Sequence, residues 1–169
     1  MPVPGARGDR ASPPYWAMLT SVKAFVRKYL ETGNREESDT AVSGTHLAVA
    51  ALLVEVLRAD FDVSDEERRH VLGSLQRLLD LDPAVCDQLL ALAEQHIDRS
   101  HDLYQFTSAI NRSYSPEDKQ RLLEELWRVA HADERLHKYE EHLIRRIADL
   151  LHLRHSEFIA TKLRSQRPG

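Results

Sequence analysis

The stretch Arg58–Glu67, RADFDVSDEE, closes one helix and opens the next. Ahead of it, from about His46 to Ala59, runs a nearly unbroken apolar segment. A helix that is apolar on all sides belongs at the centre of a fold. Behind it, Ser64 stands three residues before Glu67. At that spacing a hydroxyl and a carboxylate cap one another's backbone amides at a helix start. Seventy-three residues later the chain reads HADERLHKYE, from His131 to Glu140. Both copies carry Ala-Asp, a short polar turn with one aliphatic residue, and a Glu seven positions after the Asp.

Outward from the first corner the punctuation stays helical. Val71, Leu72, Leu75, Leu78 and Leu79 recur at helical spacing after Ser64. Asp82-Pro83 restarts the chain, with Asp as N-cap and Pro at the first helical position. Val85, Cys86, Leu89, Leu90, Leu92 and Ala93 carry that helix to about Ile97. A further helix spans about Asp102–Asn111, with Leu103, Phe106 and Ile110 on its inner face. Ser115-Pro116-Glu117-Asp118 opens another, which ends at the second Ala-Asp. No stretch sustains a period-two alternation, so the expected fold is all-α, a single compact domain of about seven to eight helices.

The corners belong to a longer repeat. A shift of 73 places Leu53 on Leu126, Val56 on Val129, Val63 on Leu136, Val71 on Ile144 and Leu78 on Leu151. The same shift carries Val85 to Phe158, Cys86 to Ile159 and Leu90 to Leu163. The expectation is two three-helix units, about 46–97 and 117–165, bridged by the Asp102 helix. Each unit alone leaves an apolar face bare, so the halves are expected to pack about a pseudo-twofold axis.

Composition narrows the function classes. A chain of 169 residues can bury a core without staples. Its net charge of −4, with no Lys/Arg-rich block, argues against nucleic acid as a partner. The longest apolar run, about Leu47–Val54, is far short of a membrane span. No secretory signal is present, and the single Cys86 cannot form an internal disulfide, so a cytoplasmic location is expected. Residues 1–17 read as a disordered leader, 18–31 as an amphipathic helix and 32–45 as a linker to the domain at 46–165. In the amphipathic segment Leu19, Val22, Phe25, Val26, Tyr29 and Leu30 share a stripe, with Lys23, Arg27 and Lys28 on other faces. Such a helix can lie on an anionic membrane surface. Packing on the body of the domain, or on a second copy of the chain as a homo-oligomer contact, is the favoured reading.

Several stretches resemble one family. LLVEVLRAD, DLYQFTSAIN, LLEELWRVAHAD and YEEHLIRRIADLLH, in that order and closed by FIATKLR, resemble the TerB-like domain. That family is associated with bacterial tellurite resistance, and its domain also stands at the N-terminus of a membrane-anchored J-domain co-chaperone. The resemblance covers His46–Arg164. It implies a duplicated all-α core and a bacterial protein of stress or metal-ion response without enzymatic activity. It also implies a divalent-metal site built from paired acidic residues, which here nominates Asp60, Glu67, Asp133 and Glu140. Where the family pattern has Gly after each Asp, this chain has Phe61 and Glu134, so the turns are expected to be reshaped.

The residues themselves leave two readings of the acidic turns. Clustered carboxylates repel unless a cation lies among them, and hard cations prefer oxygen ligands. Against this, Glu67 and Glu140 stand where capping glutamates stand, and capping alone explains both. An EF-hand is excluded: Asp60, Asp62 and Ser64 fit its positions 1, 3 and 5, but Asp65 replaces the Gly and Val71 the final Glu. His131, His137 and His142 lie near the second turn without metal-binding spacing, and His131 reads as a helix C-terminal residue. Glu55 maps onto Arg128 under the shift, which suggests a partly buried ion pair between the halves. Tyr104, Phe106, Trp127 and Tyr139 read as core and groove aromatics, and no nucleophile elbow, phosphate loop or Cys-His pattern supports an enzyme.

Overall fold

The computed structural model describes residues 39–59, 63–98, 102–132 and 138–168. The leader, the amphipathic segment and the start of the linker lie outside these residues. Within them the chain forms seven α-helices, with no strand among the described residues. They are α1 (Asp39–Leu57), α2 (Asp65–Leu79), α3 (Pro83–Ile97), α4 (Leu103–Ser113), α5 (Pro116–Ala130), α6 (Lys138–Leu150) and α7 (His155–Ser165). Helix α1 begins at Asp39, earlier than the expected His46, so the last residues of the expected linker are helical.

The caps are those the sequence spells out. At α2, Ser64 Oγ accepts from the Glu67 amide at 3.2 Å and Glu67 Oε2 accepts from the Ser64 amide at 2.7 Å. Asp102 Oδ1 accepts from the Tyr104 amide at α4, and Ser115 Oγ from the Asp118 amide at α5. Asp82 precedes Pro83 as expected, but its side chain makes no capping bond. Acidic residues fill the first turn of α2, where they face the positive end of the helix dipole.

Two helices act as hubs. Leu47 to Val54 of α1 are almost wholly buried, and α1 packs on α2, α3, α4, α5 and α6. Helix α5 is the second hub, packing on α1, α2, α6 and α7. Each hub therefore carries the third helix of its own unit, α3 on α1 and α7 on α5. Leu53, Val56, Leu126 and Val129 all fall in the core, as the 73-residue register requires. Helix α4 lies between the units and packs on α1 and α6.

The register does not hold to the end of the chain. Helices α2 and α6 begin 73 residues apart, at Asp65 and Lys138, but α3 and α7 begin 72 apart, at Pro83 and His155. The corners that feed them are likewise 72 apart, at Asp80 (φ 51°) and His152 (φ 60°), two non-glycine residues in the left-handed region. At the second corner the Leu153 amide reaches the Ala148 carbonyl and the His152 amide that of Asp149, the hydrogen-bond pair of a Schellman ending. Losing one residue turns a helix by about 100°. The expected matches of Val85 with Phe158, Cys86 with Ile159 and Leu90 with Leu163 therefore fail. Cys86 and Leu90 are buried, whereas Ile159 and Leu163 face solvent, and Phe158 occupies the inward place equivalent to Cys86.

Candidate functional site

Of the four nominated acidic residues, Glu67 and Glu140 are described, and Asp60 and Asp133 lie outside the described residues. Glu67 sits in the first turn of α2 and Glu140 in the first turn of α6. Both are withdrawn from solvent, at 9% and 4% exposure. The capping box engages Glu67 through Oε2. Two buried carboxylates are chemically suited to an oxygen-seeking cation, with Glu67 able to offer its second oxygen. Among the described residues no three of His, Cys, Asp and Glu gather closely enough to hold a metal ion.

The histidines behave as helix-end and surface residues. His131 caps α5, and its Nδ1 lies 2.7 Å from the Trp127 carbonyl oxygen. His142 is exposed on α6, and His137 lies outside the described residues. His46, by contrast, is partly buried within α1, and burial holds its imidazole below the ordinary histidine range.

The densest buried polar cluster joins α2 to α5 and was not anticipated. Glu125 is buried, and its carboxylate accepts from Ser74 Oγ at 2.8 Å. It also accepts from Arg77 Nη2 at 2.9 Å, from Arg77 Nε at 3.2 Å and from Arg128 Nη1. Arg128, expected to face Glu55, is thus engaged by Glu125 on its own helix. The signal was visible in retrospect, since Glu125 interrupts the apolar stripe Leu122-Leu123-Leu126. Its counterpart one repeat earlier is the fully buried Leu52. The same position is therefore apolar in the first unit and ionic in the second.

The four aromatics divide. Phe106 and Trp127 are core residues, but Tyr104 and Tyr139 are exposed, which corrects the expectation that they line the core or a groove. Each stands at the second position of its helix. Trp127 packs on Phe158 with ring centroids 5.3 Å apart, and this contact seats α7 on α5. Lys162 Nζ lies 5.0 Å from the Trp127 ring centroid and pairs with Glu141. Arg145 covers Phe158 at 4.8 Å.

An open cleft of about 530 Å³ lies between the starts of α5 and α7 and the end of α6, walled by Glu117, Lys119, Gln120, His152, Arg154 and Glu157. Its polar walls are largely tied to one another. Gln120 Nε2 donates to Glu157 Oε1, and Arg164 Nη2 donates to Gln120 Oε1. The Arg154 amide donates to Glu157 Oε2, and this bond, with that from the Arg154 side chain, holds the carboxyl of Glu157 below its usual range. Neither Glu67 nor Glu140 lines this cleft.

The fold, its paired corners and their acidic first turns agree with a family match. Residues 46–163 match the family model described as tellurite resistance protein TerB. The chain belongs to the TerB family. No curated protein and no solved structure matches it. No described helix of this TerB-family chain is long and apolar enough to cross a membrane.

Proposed function

We propose that this TerB-family chain is a non-enzymatic binding module of a cytoplasmic stress or metal-ion response, and that its two acidic corners bind a divalent cation. One observation supports this: Glu67 and Glu140, in equivalent first turns of α2 and α6, are both buried. Capping does not require such depth. Glu157 likewise accepts from the N-cap amide, that of Arg154, at the start of α7, and its side chain is 17% exposed. A bound cation would offset the charge of two carboxylates held at this depth. Glu67 and Glu140, with Asp60 and Asp133 from the turns, are the ligands in this reading, and Ca²⁺ or Mg²⁺ suits an all-oxygen set.

The test is thermal unfolding with and without Ca²⁺, Mg²⁺, Mn²⁺ and Zn²⁺. Glutamine at the third helical position can still complete a capping box, so Glu67→Gln/Glu140→Gln removes charge and retains the cap. A cation at about 100 times its Kd stabilises by about 2.7 kcal/mol. The expected result is a raised Tm for the wild type and no rise for the double variant, with similar metal-free melting. Wild-type curves unchanged by every ion refute the proposal.

The capping box at Glu67 favours a second reading, in which the corners are structural and the chain is a protein-interaction or self-association module. The amphipathic segment Met18–Leu30 is then the self-association element. Light scattering after size exclusion distinguishes the cases. A dimer that Phe25→Glu dissociates supports self-association, and a monomer at all concentrations counts against it.

A further inference from the structure

Helices α2 and α6 are the second helices of the two units and begin 73 residues apart, yet their outward faces carry opposite charge. On α2 the exposed acids Asp65, Glu66 and Asp80 stand against Arg69, while Arg77 is paired with buried Glu125. On α6 the exposed bases Lys138, Arg145 and Arg146 stand against Asp149. Arg145 covers the Phe158 ring. Asp65, Glu66, Lys138 and Arg146 form no ion pair among the described residues. The chain as a whole carries −4, so the basic face of α6 runs against the balance of the molecule.

Each face also has a feature that charge alone does not explain. Tyr139, 76% exposed, lies seven residues before Arg146 and so shares its side of α6. Gly73 lies seven residues after Glu66 on the same side of α2, one turn from Arg69 and one from Arg77. We infer that the outer face of α6 docks on the outer face of α2 of a second copy of this chain, which builds a head-to-tail assembly.

Charge selects that occupant. A contact of α6 on α6 about a twofold axis would crowd Arg145 and Arg146 of both copies together, whereas the complement to this face stands on the chain itself. An antiparallel alignment that sets Glu66 on Arg146 also brings Tyr139 onto Gly73, because the same seven residues separate both pairs. Arg77 Nη1 lies 3.3 Å from where a Cβ on Gly73 would stand, so the ring meets a guanidinium beside bare backbone, a cation–π contact. Two different patches make the contact heterologous. Each copy keeps one free face of either sign, and the contact repeats as an open chain unless its rotation closes a ring. The inference does not rest on cation binding at Glu67 and Glu140, and it places self-association on the helical domain rather than on Met18–Leu30.

The experiment is sedimentation velocity of the full chain at about 10 mM salt, where charges act over about 30 Å, and at about 0.15 M, where the range is about 8 Å. Asp65→Ala/Glu66→Ala removes the α2 face, Tyr139→Ala/Arg146→Ala removes the α6 face, and circular dichroism checks folding. For the wild type, mass is expected to grow with concentration beyond a dimer and to fall with salt. Each double variant alone is expected to associate at least tenfold more weakly. Their equimolar mixture forms a heterodimer and stops there, since one supplies the only intact α6 face and the other the only intact α2 face. Phe25→Glu assembles as the wild type does. A wild type that stays monomeric at both salts overturns the inference, as does a dimer that does not grow with concentration. Assembly of either folded variant equal to that of the wild type, a mixture that stays monomeric, or loss of assembly in Phe25→Glu also overturns it. A monomeric wild type that binds phosphatidylserine vesicles assigns the α6 face to a membrane surface instead. If the α2 variant unfolds, the α6 variant decides.

Discussion

Replacing Glu125 by Leu tests whether the α2–α5 seam depends on matched polarity or on charge as such. The carboxylate is buried and accepts from Ser74, Arg77 and Arg128. The arginine side chains are 53% and 39% exposed, so both cations regain water when the acid is lost. The cost is therefore well below the ~3–5 kcal/mol of breaking a fully buried pair. The buried Ser74 hydroxyl has no such escape, and losing its acceptor costs about 1 kcal/mol. The half-exposed arginine contacts add about 0.5–1 kcal/mol together. Glu125→Leu alone is expected to destabilise by about 1.5–2 kcal/mol, or about 5 °C in Tm for a body of this size. Ser74→Ala alone removes two hydrogen bonds to charged groups, one donated to Glu125 and one accepted from the half-exposed Arg77, and is expected to cost about 1.5 kcal/mol.

The double variant Ser74→Ala/Glu125→Leu replaces both partners by apolar groups of similar shape. That exchange can be nearly neutral, and the equivalent of Glu125 in the first unit is already the buried Leu52. The double variant is therefore expected to lose about 1 kcal/mol less than the sum of the single losses, a coupling typical of residues in direct contact. Urea unfolding followed by the fluorescence of buried Trp127 and by circular dichroism supplies the three free energies. Additivity within about 0.3 kcal/mol refutes direct coupling between hydroxyl and carboxylate.

Three further outcomes are expected. Because burial lowers the His46 pKa, the unfolded chain binds this proton more readily than the folded protein. Its contribution is intact above the unfolded value of about 6.5 and is lost as pH falls through the lower folded value, so His46→Gln should lose less Tm than the wild type between about pH 7.5 and 5; equal losses count against it. Cys86 is buried, and its thiol pKa is raised by burial first and Asp82 second. A thiol reagent should therefore label the native protein slowly and at a rate that rises with urea, whereas immediate stoichiometric labelling contradicts the packing. The Trp127 indole N–H is buried without a hydrogen-bond partner among the described residues. Trp127→Phe should then cost clearly less than the ~3–5 kcal/mol of Trp127→Ala, as measured by urea unfolding; equal losses refute this.

Much of this fold was legible because helix starts and inward faces are local properties. Ser64 and Ser115 are N-caps in sequence and in structure, and Leu103, Phe106 and Ile110 form the inner face that their spacing predicts. The candidate site was legible only in kind. Glu67 proved to be a capping residue, and the depth at which Glu67 and Glu140 are buried depends on what packs over their helix starts. The Glu125 network was hidden because Ser74 and Arg77 lie about fifty residues away on another helix.

The sequence by itself determined the helices, their caps, the central place of α1 and the two corners, since each follows from residues within one or two turns of each other. Tertiary structure alone decided how far the repeat extends. One residue fewer before His152 turned α7 on its axis, placing Phe158 against Trp127 and leaving Ile159 and Leu163 in solvent. Rotation about a helix axis leaves every local hydrogen bond intact, so caps and periodicity do not report it. Only the hub on which the helix rests selects the face that is buried.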